Sequence, residues 1–207
     1  IEAIQNKMWE DYETTPNTAQ NYAEVTSSTA KDVEKLKTEM RGLGNDIISY
    51  KALPFTDAQI EKTCAKLQSL GLEIPCLSSG AILSNRENHE DAIKEITQYA
   101  QLARKLNTSY IRILGDKEPA PIGEVDDDIV YEALLKLVPI AEEYNVTLLV
   151  ETNGVYADTL RLKNLLEKVN NRKIAALWDM HHPYRYFNES PETTIANLGE
   201  LIKYTHV

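Results

Sequence analysis

The chain alternates between short apolar segments and amphipathic segments with helical spacing, and this order limits the folds available to it. Five segments rich in apolar and β-branched residues predict strands. They are residues 46–53, 72–82, 109–114, 146–151 and 173–179. Five segments in which apolar residues recur every three to four positions predict helices. They are residues 56–71, 89–107, 126–145, 159–171 and 192–205. This alternation predicts βαβ units and a parallel sheet covered by helices.

Residues 1–45 fit this alternation less well. The sequence predicts helices over residues 1–13 and 30–44, with a loop between them. No strand pattern precedes the second helix. If the parallel sheet closes into a barrel, an opening strand is needed there. We therefore expect the opening strand to be missing or replaced.

Composition and charge narrow the classes of protein that fit. Apolar residues make up 43% and charged residues 26% of the chain, as in ordinary globular domains. The formal charge of −10 would repel a polyanion, which argues against nucleic-acid binding. No apolar run is long enough to span a bilayer and no signal-peptide pattern opens the chain, so we expect a cytoplasmic protein. Cys64 and Cys76 form no CxxC pair, which predicts buried thiols and no thiolate zinc site.

Polar residues stand at the ends of the last predicted strands. Glu151 follows LLV, Asp179 follows ALW, and His206 stands in a final short segment, YTHV, where a strand would start. Neighbouring parallel strands bring such residues to one edge of a sheet. Two carboxylates and an imidazole suit Mn²⁺, Mg²⁺, Co²⁺ or Zn²⁺. Spacing alone leaves two alternatives open, a shared metal site and three unrelated polar residues at strand ends.

The segments LLVETN, ALWDMHHPYR and YTHV together resemble the xylose isomerase-like TIM-barrel superfamily of sugar isomerases and epimerases. The resemblance implies a (β/α)8 barrel with one divalent metal ion. The family places a ligating Glu on its fifth strand, an Asp in a D-x-x-H motif on its sixth and a His on its seventh. These correspond to Glu151, Asp179 and His206 here, and the second His of the motif corresponds to His182, a substrate contact.

The resemblance also implies that the barrel is incomplete in this sequence. We expect residues 1–207 to form a single barrel domain, with residues 1–45 poorly matched and the last α/β units absent. The family's fourth ligand, a Glu on the eighth strand, would lie beyond Val207. We therefore expect a fragment, or a chain with internal stretches removed, in preference to a short protein completed by another subunit.

The resemblance implies a metal-dependent sugar or sugar phosphate isomerase or epimerase. Such an enzyme removes a proton beside a metal-polarised carbonyl, and Glu151 would be both ligand and general base. Substrate contacts are expected from His182, Arg112 and Lys51, although Arg112 could instead pair with a core acid such as Asp116. Family members are often dimers or tetramers, so the resemblance allows a homo-oligomer.

Other residues and functions carry weaker expectations. We expect His181 to be structural and His89 to be exposed. Trp178 fits the pocket wall or the core, and residues 126–128 (DDD) read as a helix start rather than a metal cluster. Two rival functions are a non-catalytic sugar- or metabolite-binding barrel and an endonuclease IV-like DNA repair enzyme. The negative charge argues against the DNA repair enzyme, and four histidines are too few for the zinc ligands that such an enzyme uses.

Overall fold

A computed structural model describes residues 48–207, and Ile48–Val207 form one compact unit. The predicted helices at 1–13 and 30–44, and the question of an opening strand before residue 46, lie outside the described residues. The expectation of a single domain over 1–207 therefore stays a prediction. Within the described part, no helix is both long and apolar enough to cross a membrane.

The described residues form a parallel sheet whose strands follow the order of the sequence. The strands are β1 (Cys76–Ile82), β2 (Tyr110–Leu114), β3 (Thr147–Glu151), β4 (Ile174–Asp179) and β5 (Ile202–His206). The helices are α1 (Ile60–Ser69), α2 (His89–Leu106), α3 (Asp127–Glu143), α4 (Thr159–Val169), α5 (His181–Phe187) and α6 (Pro191–Leu198). Each strand pairs with the next one along the chain, without the reversal of order that marks a doubly wound sheet. This is the wall of a (β/α) barrel, as expected.

Strands β3 and β4 are buried because both faces of the sheet carry apolar side chains. On one face, here called the inner face, Leu149, Ala175 and Leu177 form a buried cluster against Cys76, Tyr110 and Tyr204. Side chains two residues apart on a strand share a face, so Glu151 and Asp179 lie on this same inner face. The buried apolar cluster of the inner face is therefore followed, at the carboxyl-terminal edge of the sheet, by Glu151 and Asp179.

Local signals explain where the crossover helices begin and end. The Asp126 carboxylate caps α3 by accepting from the Asp128 amide, and the Asp158 carboxylate caps α4 by accepting from the Leu160 and Arg161 amides. Asn107 and Asn170 end α2 and α4 with positive φ angles. The interpretation of residues 126–128 as a helix start is confirmed.

Two of the predicted elements are wrong. Residues 48–53 were expected to complete a strand over 46–53, but they form turns that lead into a 3-10 helix at Leu53–Phe55, where Pro54 lacks an amide for strand pairing. The helix predicted over 192–205 ends at Leu198, where Gly199 adopts φ +47°, and Ile202–His206 form β5. His206 therefore ends its strand instead of starting it. Helix α5 was not predicted.

Three buried or half-buried groups also differ in detail from expectation. His89 is 2% exposed, not solvent-exposed, and in this buried position its Nε2 lies 3.1 Å from the Leu83 carbonyl. Cys64 and Cys76 are free and half-buried. Burial raises the pKa of the Cys76 thiol to about 11, although the neighbouring Arg112 acts in the opposite direction. Cys76 is therefore a protonated lining residue of the inner face at neutral pH.

Candidate metal centre

Three adjacent strands deliver Glu151, Asp179 and His206 to one edge of the sheet. Glu151 pairs with Leu177 in the register of β3 and β4, and Asp179 pairs with His206 in the register of β4 and β5. One ligand atom from each residue lies within 4.8 Å of the others. The structure thus brings together the three residues that the sequence singled out, although their ligation of a metal stays a prediction.

Glu151 lies between two nitrogen-bearing side chains. Its side chain is 8% exposed, Oε1 lies 3.1 Å from His206 Nδ1, and Oε2 lies 3.3 Å from Arg112 Nε. A carboxylate removed from water is costly unless cations or donors compensate it. The two neighbours therefore compensate the nearly buried Glu151 carboxylate for the water that it loses.

Arg112 is fixed from β1 as well as by Glu151. Its Nη1 donates to the Ser79 carbonyl at 3.0 Å, and the Ser79 hydroxyl donates back to the Arg112 carbonyl at 2.7 Å. The acid beside Arg112 is Glu151 and not Asp116, whose carboxylate accepts from the Lys117 and Val155 amides. Arg112 thus lies in the site, in contact with the proposed general base.

Asp179 and His182 are held by the short connection that follows β4. Asp179 Oδ1 accepts from the His181 amide at 2.9 Å, and Asp179 Oδ2 lies 3.9 Å from His182 Nε2. His182 Nδ1 lies 3.0 Å from the Thr152 carbonyl. Because a carbonyl only accepts, Nδ1 carries the hydrogen, and Nε2 is the ring nitrogen that faces the site.

Lys51, His181 and Trp178 differ in their surroundings. Lys51 is in an exposed turn with Nζ 5.3 Å from the centroid of the Tyr50 ring, and Tyr50 packs on Tyr99 of α2. His181 is exposed, and Trp178 is buried in the core.

Two residues that hold the side chains of the site, Ser79 and Thr152, are not predicted from the sequence. Ser79 fixes Arg112, while Thr152 contacts the backbone of Asp179 and the ring of His182. No motif marks Ser79, and LLVETN contains Thr152 without indicating its role, because the contacts of both residues form only when neighbouring strands pair. The position of Thr152 directly after Glu151 at a strand end was the available signal.

The donor set fits a divalent metal ion. Two carboxylates and an imidazole supply the O, O, N ligation that Mg²⁺, Mn²⁺, Co²⁺ and Zn²⁺ accept. The three side chains converge from three strands, and Glu151 is already largely desolvated. These observations make Glu151, Asp179 and His206 a candidate centre without selecting the ion.

The sequence profile of the xylose isomerase-like TIM barrel family matches residues 38–207, and the chain belongs to this family. No protein with a curated description matches the sequence at a significant level. The resemblance found at LLVETN, ALWDMHHPYR and YTHV is therefore confirmed at the level of the family.

Solved structures share this fold at low sequence identity. A xylose isomerase domain protein from Planctomyces limnophilus has a TM-score of 0.62 at 15% identity, covering 73% of this chain and 59% of that one. A D-psicose 3-epimerase in the presence of D-fructose has a TM-score of 0.63 at 16% identity, covering 73% and 58%. A xylose isomerase-like TIM barrel protein from Mycobacterium smegmatis in complex with magnesium has a TM-score of 0.60 at 18% identity, covering 94% and 67%. The chain thus spans about three fifths of the length of the first two.

Proposed function

We propose that the protein is a metal-dependent isomerase or epimerase acting on a sugar or sugar phosphate. The observation that carries this proposal is the convergence of Glu151, Asp179 and His206 at the carboxyl-terminal edge of β3, β4 and β5. Ligand and active sites of barrel folds form at this edge. The sugar epimerase among the similar structures supports the substrate class.

Glu151, Asp179 and His206 would hold the divalent ion. When bound, such an ion supplies Lewis-acid polarisation of a substrate carbonyl and charge stabilisation beside it. The magnesium complex of a similar barrel supports this assignment. The carboxylates of Glu151 and Asp179 would offset the charge of the ion.

Glu151 is the proposed general base. Isomerisation and epimerisation both begin with removal of a proton from a carbon next to a carbonyl, and a carboxylate within reach accepts that proton. His206 Nδ1 forms a hydrogen bond with Glu151 Oε1 at 3.1 Å, and Arg112 Nε lies 3.3 Å from Oε2 in an ion pair without hydrogen-bond geometry. The base is therefore oriented before substrate arrives, which reduces the reorganisation needed in the reaction.

His182 and Arg112 are the proposed substrate contacts. His182 directs Nε2 into the site because Nδ1 is engaged by the Thr152 carbonyl, so Nε2 is free to meet a sugar hydroxyl. Arg112 adds a positive charge beside Glu151, which is compatible with a neutral sugar and with a phosphate-bearing one. Lys51 stays a weaker prediction, since it stacks on Tyr50 in a turn.

Metal content and proton exchange test the proposal together. Wild type should bind about one equivalent of divalent ion, and Asp179→Ala should lose it, while the exposed Asp91→Ala serves as a matched control. Ketoses incubated with the metal-loaded protein in D₂O should gain deuterium at the carbon next to the carbonyl. Glu151→Gln should abolish this exchange.

Two results would contradict the proposal in different ways. Exchange retained in Glu151→Gln would remove Glu151 from the role of base. Metal and sugar binding without exchange in wild type would favour the non-catalytic sugar-binding barrel.

A further inference from the structure

Thr152 makes an unusual set of contacts immediately after Glu151. The residue is fully buried, and its amide donates to the Leu177 carbonyl at 2.9 Å. Its hydroxyl accepts from the Asp179 amide at 2.9 Å and donates to the Asp179 carbonyl at 3.2 Å. One side chain therefore replaces part of the hydrogen bonding between β3 and β4.

The regular parallel ladder would use a different acceptor. In such a ladder, a residue whose amide donates to one position of the neighbouring strand accepts, on its carbonyl, from the amide two positions further on. Since the Thr152 amide bonds to Leu177, the Asp179 amide should bond to the Thr152 carbonyl. The Asp179 amide instead bonds to the Thr152 hydroxyl, and the ladder ends there.

The exchange of acceptors leaves the Thr152 carbonyl available to another donor. His182 Nδ1 occupies it at 3.0 Å. That bond requires the hydrogen on Nδ1 and turns Nε2 to within 3.9 Å of Asp179 Oδ2. A regular ladder would direct this carbonyl at the Asp179 amide, so the geometry of the His182 bond depends on the exchange of acceptors.

We propose that the Thr152 hydroxyl is a positioning group. By taking over the Asp179 amide, it leaves His182 Nδ1 as the donor to which the Thr152 carbonyl is directed, and it thereby sets the tautomer and direction of that ring. The consequence for catalysis rests on the proposed function, because His182 is its substrate contact. The consequence for the ring does not depend on any reaction.

Variants that remove or keep the hydroxyl separate this role from general packing. Thr152→Val keeps the shape without the hydroxyl, Thr152→Ala removes the hydroxyl and the methyl group, and Thr152→Ser keeps the hydroxyl. Thr108→Val is the matched control, because Thr108 is 5% exposed and its hydroxyl donates to the Ile74 carbonyl at 2.7 Å, at the opposite edge of the sheet.

The first measurement is the histidine tautomer in the metal-free protein, from long-range ¹H–¹⁵N correlation spectra assigned with His182→Asn. Wild type, Thr152→Ser and Thr108→Val should show His182 with its hydrogen on Nδ1. Thr152→Val and Thr152→Ala should weaken this preference, because the Asp179 amide then competes with His182 for the Thr152 carbonyl and turns it towards β4. His89 is an internal reference, since its Nε2 faces the Leu83 carbonyl and should carry the hydrogen throughout. An unchanged His182 tautomer in folded Thr152→Val or Thr152→Ala would overturn the proposal.

The second measurement is ketose turnover by protein loaded with metal. Thr152→Val should lower kcat/KM by about 10- to 100-fold, as expected when a group behind a contacting side chain is removed, while Thr152→Ser stays near wild type. No turnover in wild type would count against the proposed function alone, because the tautomer comparison would still decide the role of the hydroxyl.

Discussion

Gly154 provides a sharp test of how the loop after β3 is held in place. Its φ is +58°, and a Cβ at this position would lie 2.2 Å from Asp116 Oδ2. The Asp116 carboxylate is buried and accepts from the Val155 amide at 3.0 Å and the Lys117 amide at 2.7 Å. Gly154→Ala therefore strains the backbone and displaces a carboxylate that fixes two loops.

The expected loss follows from these two effects. A left-handed conformation costs a residue with a Cβ about 1 kcal/mol. Weakening the hydrogen bonds that the Asp116 carboxylate accepts from the Val155 and Lys117 amides adds about 2–3 kcal/mol. Gly154→Ala should therefore lower the free energy of unfolding by about 3–4 kcal/mol.

Gly71 is the matched control for the backbone effect. Its φ is +63°, and no atom lies within 4 Å of the Cβ that alanine would add. Gly71→Ala should cost only about 1 kcal/mol. In urea, with a slope of about 2 kcal/mol per molar, the two midpoints should differ by about 1–1.5 M. Equal midpoints would refute the claim that Asp116 is displaced.

Two further predictions concern the inner face. Arg112→Met should destabilise the fold by about 2 kcal/mol because it leaves Glu151 without its cation, and the loss should shrink in the Glu151→Gln background. The coupling is measured by urea unfolding of the four proteins in the cycle, and equal losses in both backgrounds would count against the ion pair. The Cys76 thiol, whose pKa is raised to about 11 by burial, should be about one-thousandth thiolate at pH 8. Its alkylation rate in the folded protein should rise about tenfold per pH unit up to that value, and a plateau near pH 9 would contradict the assignment.

The sequence is sufficient to predict strands β3 and β4 and the carboxylates at their ends. Both strands are continuous apolar runs bounded by polar residues, a pattern that burial on both faces of a parallel sheet produces. The placement of Glu151 and Asp179 at one edge then follows from parallel pairing alone. Helices α2, α3 and α4 can be predicted equally well, because their apolar stripes and capping residues are local features of the sequence.

The failures share a physical cause, which is that the deciding contacts are not local. Residues Ile195, Leu198 and Ile202 continue a helical spacing, yet pairing with β4 draws Ile202–His206 into a strand after Gly199. The pairing of Arg112 with Glu151 joins β2 to β3, whereas the sequence alone suggests Asp116 as the acid that could pair with Arg112. The Thr152 contacts depend on where the β3–β4 ladder stops, which no spacing encodes.

The candidate ligands are far apart along the chain, with Glu151 and His206 separated by 55 residues. Each ligand stands on its own strand, and parallel strands pair only after the intervening helix has crossed over. The centre therefore has high contact order, and the three ligands do not meet until β5 has docked. An ion held by these three ligands would slow unfolding, because it stabilises an arrangement that only the assembled sheet provides. It would leave the early steps of folding unchanged, because the ligands come together late.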